Sequence, residues 1–225
     1  RFGERFRAYH DWFNVFFREY PLGGEHPDLI LFDLGVSLFH YVEAGRGFSF
    51  RADEPLDMRL DDDLEISAKD IVNTYPEEEL EEIIRDYGEE RYARGIARAI
   101  VRERKKEEIA TSGRLADLIR GSVPPKYRHG RIHPATRSFQ AIRIVVNGEP
   151  ARLESALENA LSVLKVGGRI GVISFHSIED RIVKRFFKRK NQECTCPPEW
   201  PICKCGGGRI VDILTKKPLR PGEHE

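Results

Sequence analysis

Residues 28–61 read DLILFDLGVSLFHYVEAGRGFSFRADEPLDMRLD. Leu29-Ile30-Leu31-Phe32 has no polar break and is expected to be a buried strand. Asp33 follows at the C-terminal end of that strand, and Gly35 comes two residues later. In open α/β sheets, ligands bind in the crevice just past the carboxyl ends of parallel strands. A carboxylate there meets a ligand hydroxyl or amine, and a glycine lets the backbone come close. Taken alone, Asp33 fits an Asx-type turn equally well. The continuation adds weight to a site. GRGFSFR (45–51) and PLDMR (55–59) are polar, aromatic and glycine-punctuated, with neither helical nor strand period. Such a segment is costly to order unless it does something.

Working outward, residues 5–17 are expected to hold a short strand and its turn, with HDWF (10–13) as an aromatic strand end. From Ser67 the pattern becomes helical. Ser67-x-x-Asp70 and Thr74-x-x-Glu77 fit capping boxes. A helix from Glu77 should stop at Gly88, a third should run from Glu89 to Lys106, and a fourth from Ser112 to Arg120, ended by GSVPP. Four helices without an intervening strand point to an all-helical insertion over 62–132. Helices over 136–146 and 151–164 then lead through Gly167-Gly168 to a strand over 169–175. A helix over 177–190 follows, with a candidate edge strand at 210–215. The expected organisation is an α/β domain in two parts, 1–61 and 133–225, around the helical segment 62–132.

At 225 residues and 40% hydrophobic content, the chain has enough apolar material for a core. No apolar run approaches the roughly 20 residues of a membrane span, and no secretory signal is visible. The opening RFGERF, without Met, reads as the interior of a longer chain. Net charge is zero, yet the charges are segregated. Residues 53–90 carry 16 acidic and 3 basic side chains, and residues 91–143 carry 14 basic and 4 acidic. RIVKRFFKRK (181–190) adds six basic residues. The acidic block is read as a solvated face. The basic blocks suit a phosphate-facing surface.

The 28–61 stretch, HPATRSFQAIRIVVNGE (133–149), GGRIGVISFHSIEDRIVKRFF (167–187) and CTCPPEWPICKC (194–205) together resemble the bacterial small-subunit rRNA methyltransferase H family, also called MraW. The resemblance covers nearly the whole chain. It implies a Rossmann-like S-adenosylmethionine-dependent methyltransferase fold with an inserted all-helical subdomain. It also implies methylation of N4 of a cytidine in the decoding region of 16S rRNA, in the small ribosomal subunit in the cytoplasm. By resemblance Asp33 lies at the methionine end of S-adenosylmethionine, Phe13 flanks the adenine, and His40 contacts the cofactor where the family has Gln. The family's DLGVSSPQ-like run here reads DLGVSLFH, so Leu38 and Phe39 depart as well. Phe13 also reads as an ordinary core aromatic.

Asp33 and His176 are the expected catalytic pair. His176, after the apolar strand, is assigned to cytosine contact or loop locking, not proton abstraction. His133, Arg137, Arg181, Lys184, Arg185 and Lys188 are the expected RNA contacts. Cys194, Cys196, Cys203 and Cys205 suit tetrahedral zinc by number, but C-x-C is tighter than usual ligand spacing, and no metal ligand is assigned. Methyltransferases of this fold bind cofactor through a glycine-rich turn after the first strand and an acidic residue after the second. Neither precedes Asp33 here, and the family's usual C-terminal tail does not follow Glu225. The chain as it stands is therefore expected to bind cofactor weakly and to be inactive. The competing readings are a non-catalytic RNA-binding remnant and a nucleotide-dependent oxidoreductase, the latter disfavoured by the lack of a dinucleotide fingerprint.

Overall fold

The computed structural model describes residues 5–20, 25–194, 196, 202, 204 and 208–222. The chain forms two compact units. One comprises Arg1–Leu34 with Pro150–Glu225, and the other Gly35–Glu149. The 62–132 segment read as an insertion lies inside the second unit.

The first unit is built on two parallel strands, β1 (Leu29–Asp33) and β2 (Arg169–Ile173), in register from Leu29↔Arg169 to Asp33↔Ile173. Parallel neighbours need a long crossover, and the whole second unit lies within it. Gly167, with φ +82°, makes the turn into β2, and the Gly168 N–H donates to the Lys165 carbonyl at 2.8 Å. β1 is not buried on both faces as its apolar run suggested. Ile30 and Phe32 are buried, whereas Leu29 and Leu31 are each 63% exposed. Strand side chains alternate, and the described helices cover one side only.

That side is covered by α1 (Phe13–Arg18), α9 (Glu149–Val163) and α10 (Ser177–Lys190). No strand forms over 5–12, and the expected turn after it is the helix α1. In FNVFFR, Phe13 and Phe17 are four residues apart, a helical repeat, and both rings pack on Phe32, at 6.0 and 5.3 Å between centroids. Leu153, Ala156, Leu157 and Ala160 of α9 complete this core with Phe186 of α10. The expected edge strand at 210–215 does not form; Ile210 and Leu214 are exposed there.

The second unit is helical: α2 (Leu38–Val42), α3 (Ala68–Thr74), α4 (Glu77–Asp86), α5 (Ala93–Arg104), α6 (Ser112–Ser122), α7 (Pro125–Arg128) and α8 (Ala135–Val146). Its core gathers Ile71, Leu80, Ile84, Ile96, Ile100, Leu115 and Ile142. The Ser67–Asp70 capping box is present. The Thr74–Glu77 box is not, because Pro76 occupies the N-cap of α4 and Thr74 instead donates to the Asp70 carbonyl. α5 starts at Ala93 and not at Glu89, because Glu89 sits at φ +50°. The short helices α2 and α7 gave no periodic signal in the sequence.

The irregular loop after α2 is ordered by side chains. Asn147, fully buried, donates to the Met58 and Arg143 carbonyls, both at 2.9 Å, and accepts from the Leu60 N–H at 2.8 Å. Glu54 accepts from the Gly47 N–H, and Ser112 donates to the Ala52 carbonyl. Gly47 has no substitute: its φ is +71°, and a Cβ would lie 2.5 Å from the Pro55 carbonyl oxygen.

Candidate functional site

The pairing of β1 with β2 brings their carboxyl ends to one rim. The Leu34 N–H donates to the Ile173 carbonyl at 3.1 Å, extending the ladder one step past Asp33. Asp33 is exposed, on the face of Leu29 and Leu31. Among the described residues it makes no hydrogen bond or ion pair, so its carboxylate is open to a ligand cation or donor. Immediately afterwards the chain turns at Gly35, with φ +88°. Beyond β2 on the same rim come Phe175, 70% exposed, and His176.

His176 is the N-cap of α10, and Glu179 engages both ring nitrogens. His176 Nδ1 accepts from the Glu179 N–H at 3.4 Å, and Nε2 lies 3.2 Å from Glu179 Oε1. The Glu179 carboxylate also accepts from the Phe175 and His176 N–H groups at 2.8 and 3.4 Å. This closes a capping box with an imidazole in the place of the usual hydroxyl. Burial pushes the Glu179 carboxyl up. The His176 hydrogen bond, the two backbone N–H groups and the neighbouring imidazole outweigh it and hold the carboxyl below the usual range. A ring so engaged locks the β2–α10 turn.

Phe13 is half-buried, with its ring edge-on to Phe32 on the face of β1 opposite Asp33. The basic residues of α10 are as exposed as the sequence suggested. Arg181, Lys184, Arg185 and Lys188 all face solvent, and Lys184 pairs with Asp180 at 2.7 Å.

The other expected residues belong to the second unit. His40 Nδ1 lies 3.1 Å from Ser37 Oγ, with its ring beside Phe48. His133 stacks on Phe50, with 4.5 Å between centroids, and its Nδ1 accepts from the Ala135 N–H at 3.2 Å. Desolvation and the Arg120 charge push the His133 imidazole down, against the opposing pull of Asp117. Arg137 donates to the Glu89 carbonyl at 3.0 Å. Arg143, which the sequence marked only as part of a motif, is 7% exposed and holds Glu149 bidentately at 2.8 and 3.0 Å while donating to Tyr41 Oη at 2.9 Å. Cys196 accepts from the Lys204 N–H at 3.3 Å. Cys203 and Cys205 lie outside the described residues.

Sequence reasoning missed Glu179, Asn147 and the Arg143–Glu149 pair. Glu179 had a signal, an acidic side chain three residues after a helix cap. Asn147 had none, because its partners in the loop lie 87 and 89 residues away.

Two parallel strands with helices packed on the sheet define an α/β protein, and Asp33 stands as an exposed carboxylate at the rim of that sheet. Within that class the chain belongs to the MraW methylase family, whose model matches residues 1–225. It is similar to the ribosomal RNA small subunit methyltransferase H of Treponema denticola, 54% identical over 224 residues, covering 100% of this chain and 71% of that protein. The protein of the same name from Carboxydothermus hydrogenoformans is 50% identical over 225 residues, covering 100% and 72%. That from Brevibacillus brevis is 49% identical over 204 residues, covering 91% and 65%. The chain thus spans about two thirds of the length of these relatives.

Proposed function

We propose that the protein is an S-adenosylmethionine-dependent methyltransferase acting on N4 of a cytidine in the decoding region of 16S rRNA, in the small ribosomal subunit of the cytoplasm. The observation that carries this reading is Asp33, an unpartnered carboxylate at the rim of paired parallel strands in a chain of a methylase family. Relatives named as small-subunit rRNA methyltransferases support the substrate class. No described helix is long and apolar enough to cross a membrane.

Asp33 fits the cofactor by charge: an open carboxylate past a strand end suits its ammonium or sulfonium. When bound, the cofactor supplies a methyl group on a sulfonium, already activated for displacement. Cytosine N4 is a poor nucleophile because its lone pair is delocalised into the ring. It needs alignment and a hydrogen-bond acceptor more than a strong base. Asp33 is that acceptor in this reading, and alignment supplies most of the rate, since effective molarities for well-oriented groups reach roughly 10⁵–10⁸ M. His176 holds the β2–α10 turn against the base. Phe13 offers its remaining exposed surface to the adenine, and His40 a single further hydrogen bond. His133, Arg137 and the exposed cations of α10 hold RNA, with 62–132 as the substrate-binding part of a Rossmann-like enzyme. Enzymes that modify a base take it out of the stack, and the crevice would receive it.

The test is Asp33→Ala in the intact protein, scored by methyl incorporation into small subunits from a strain lacking the enzyme. Loss of incorporation with an unchanged circular dichroism spectrum is expected. Near-normal turnover would remove Asp33 from the chemistry. RNA binding without any methyl transfer by the unmutated protein would favour the non-catalytic remnant.

A further inference from the structure

The turn joining α4 to α5 is built against local preference at three successive residues. A Cβ on Gly88 would lie 2.5 Å from the Ile84 carbonyl oxygen and 2.7 Å from that of Arg137, so only glycine fits. Glu89 adopts φ +50°, a left-handed conformation that strains a non-glycine residue. Its carbonyl is held by Arg137. Glu90 is 1% exposed, and its carboxylate accepts from the Tyr92 N–H at 2.9 Å and from the Tyr127 hydroxyl at 2.7 Å. A carboxylate is withdrawn from water only when such partners replace its hydration. Strain of this kind persists where the surroundings over-determine it, and it clusters at functional sites.

What the turn presents is Arg91. Its guanidinium lies over the rings of Tyr92 and Tyr127, 4.8 and 4.9 Å from their centroids, and the two rings meet edge to face at 4.9 Å. Buried Glu90 holds the Tyr127 hydroxyl and the Tyr92 backbone. Burial first, then the hydrogen bond to Glu90 and its charge, push the Tyr127 phenol up against the opposing pull of Arg137 and Arg91, so it stays a donor. Arg91 itself is exposed, and among the described residues no carboxylate pairs with it. Arg85, Arg98 and Arg114 in the same unit are all paired with acids. A guanidinium held over aromatic faces keeps N–H groups for a pair of phosphate oxygens, and it loses little rotamer freedom on binding because its fork is already ordered. Lys126, one residue before Tyr127, is exposed beside it.

We propose that Arg91 is a preformed phosphate-binding post for the RNA backbone, held in place by Tyr92, Tyr127 and the buried Glu90. This rests on the RNA-methyltransferase reading and adds to it a residue that the sequence patterns had not singled out. Phosphate contacts position a nucleic acid without reading its sequence, so the post sets register and not base choice.

The test uses the intact protein and a 16S rRNA transcript, with binding measured across a salt series. Arg91→Gln should lower the magnitude of the log K against log salt slope by about 0.7–0.9. It should weaken unrelated RNA sequences to the same degree. Arg91→Lys, which keeps the charge but loses the fork and the stack, should retain the slope with reduced affinity. Cofactor affinity should be unchanged in both. As a check that needs no variant, RNA should protect Arg91 of the unmutated protein from phenylglyoxal, and cofactor alone should not. A wild-type slope in a folded Arg91→Gln protein, or unhindered modification of Arg91 under saturating RNA, overturns the proposal while leaving the methyltransferase reading intact. An unmutated protein that binds neither the transcript nor small subunits overturns both.

Discussion

Glu179 is a carboxylate withdrawn from water and kept charged, and it governs the rim more than its position in a helix suggests. It accepts from two backbone N–H groups and engages both nitrogens of His176. Removing it strands those donors, at a cost of about 1–3 kcal/mol. Glu179→Ala should therefore lower stability by that amount in urea titrations at neutral pH. Its folded value lies below the ordinary 4.5. The carboxylate's contribution is thus complete above the ordinary glutamate range and is lost as pH falls through the folded value. Glu179→Gln should be less sensitive to acid over that window than the unmutated protein; equal acid sensitivity would show that other carboxylates control it. Asp33 could be read from the sequence because an apolar strand ending in an acid is a local pattern. Glu179 could have been read the same way, but His is not among the residues that usually cap helices.

At the scale of elements, legibility follows the range of the forces. α10 appears over Ser177–Lys190 as its pattern suggested, because its cap, apolar face and basic end are all local. α1 stands where the sequence suggests a strand end and its turn, because six residues are too few to establish a period, and its helical form comes from packing on Phe32. The 45–64 loop was legible as costly to order but not in its means, since Asn147 reaches it from a distant helix end. Asn147→Ala should cost about 1–3 kcal/mol through unsatisfied groups and expose residues 55–64 to proteases. Asn147→Asp should cost more, because a buried carboxylate would face the Met58 and Arg143 carbonyl oxygens with lone pairs that repel them and no proton to offer. An Asp variant as stable as the Ala variant would show that this repulsion costs nothing. On α10, replacing Lys184, Arg185 and Lys188 with Gln should flatten the salt dependence of RNA binding by roughly 0.7 per lost single-strand contact. Lys184 shares its charge with Asp180 in an exposed pair worth little, so Arg185 and Lys188 should account for most of the change. An unchanged slope would move the RNA surface off this helix.

At the scale of the whole molecule, the segregation of charge along the chain is more informative than its zero sum. The acidic stretch 53–90 is spent partly within the second unit: Asp53 accepts from the Gly113 N–H, Asp57 pairs with Arg59, and Asp70 caps α3. The cations of 181–190 stay mainly at the surface, where screening by salt makes them readable in binding experiments. The compact helical unit begins at Gly35 and ends at Glu149, wider on both sides than the run of helices without strands over 62–132. The loop and α8 join it through contacts such as Asn147 to Leu60, which no local pattern reveals.

The cysteine segment 194–205 poses the remaining chemical question for the whole protein, whether a bound metal serves structure or reaction. Methyl transfer from a sulfonium displaces a neutral thioether, a leaving group that needs no Lewis acid, and the nucleophile needs alignment and not polarisation by a metal. Zinc on four thiolates would in any case fill its tetrahedral shell and leave no open position for substrate. Treating the intact enzyme with a zinc chelator should therefore leave methyl incorporation per folded molecule unchanged, even if the segment around Cys196 becomes easier to cleave. Activity that disappears on chelation and returns with zinc alone, at constant folded fraction, would refute this and make the cysteines part of the working site.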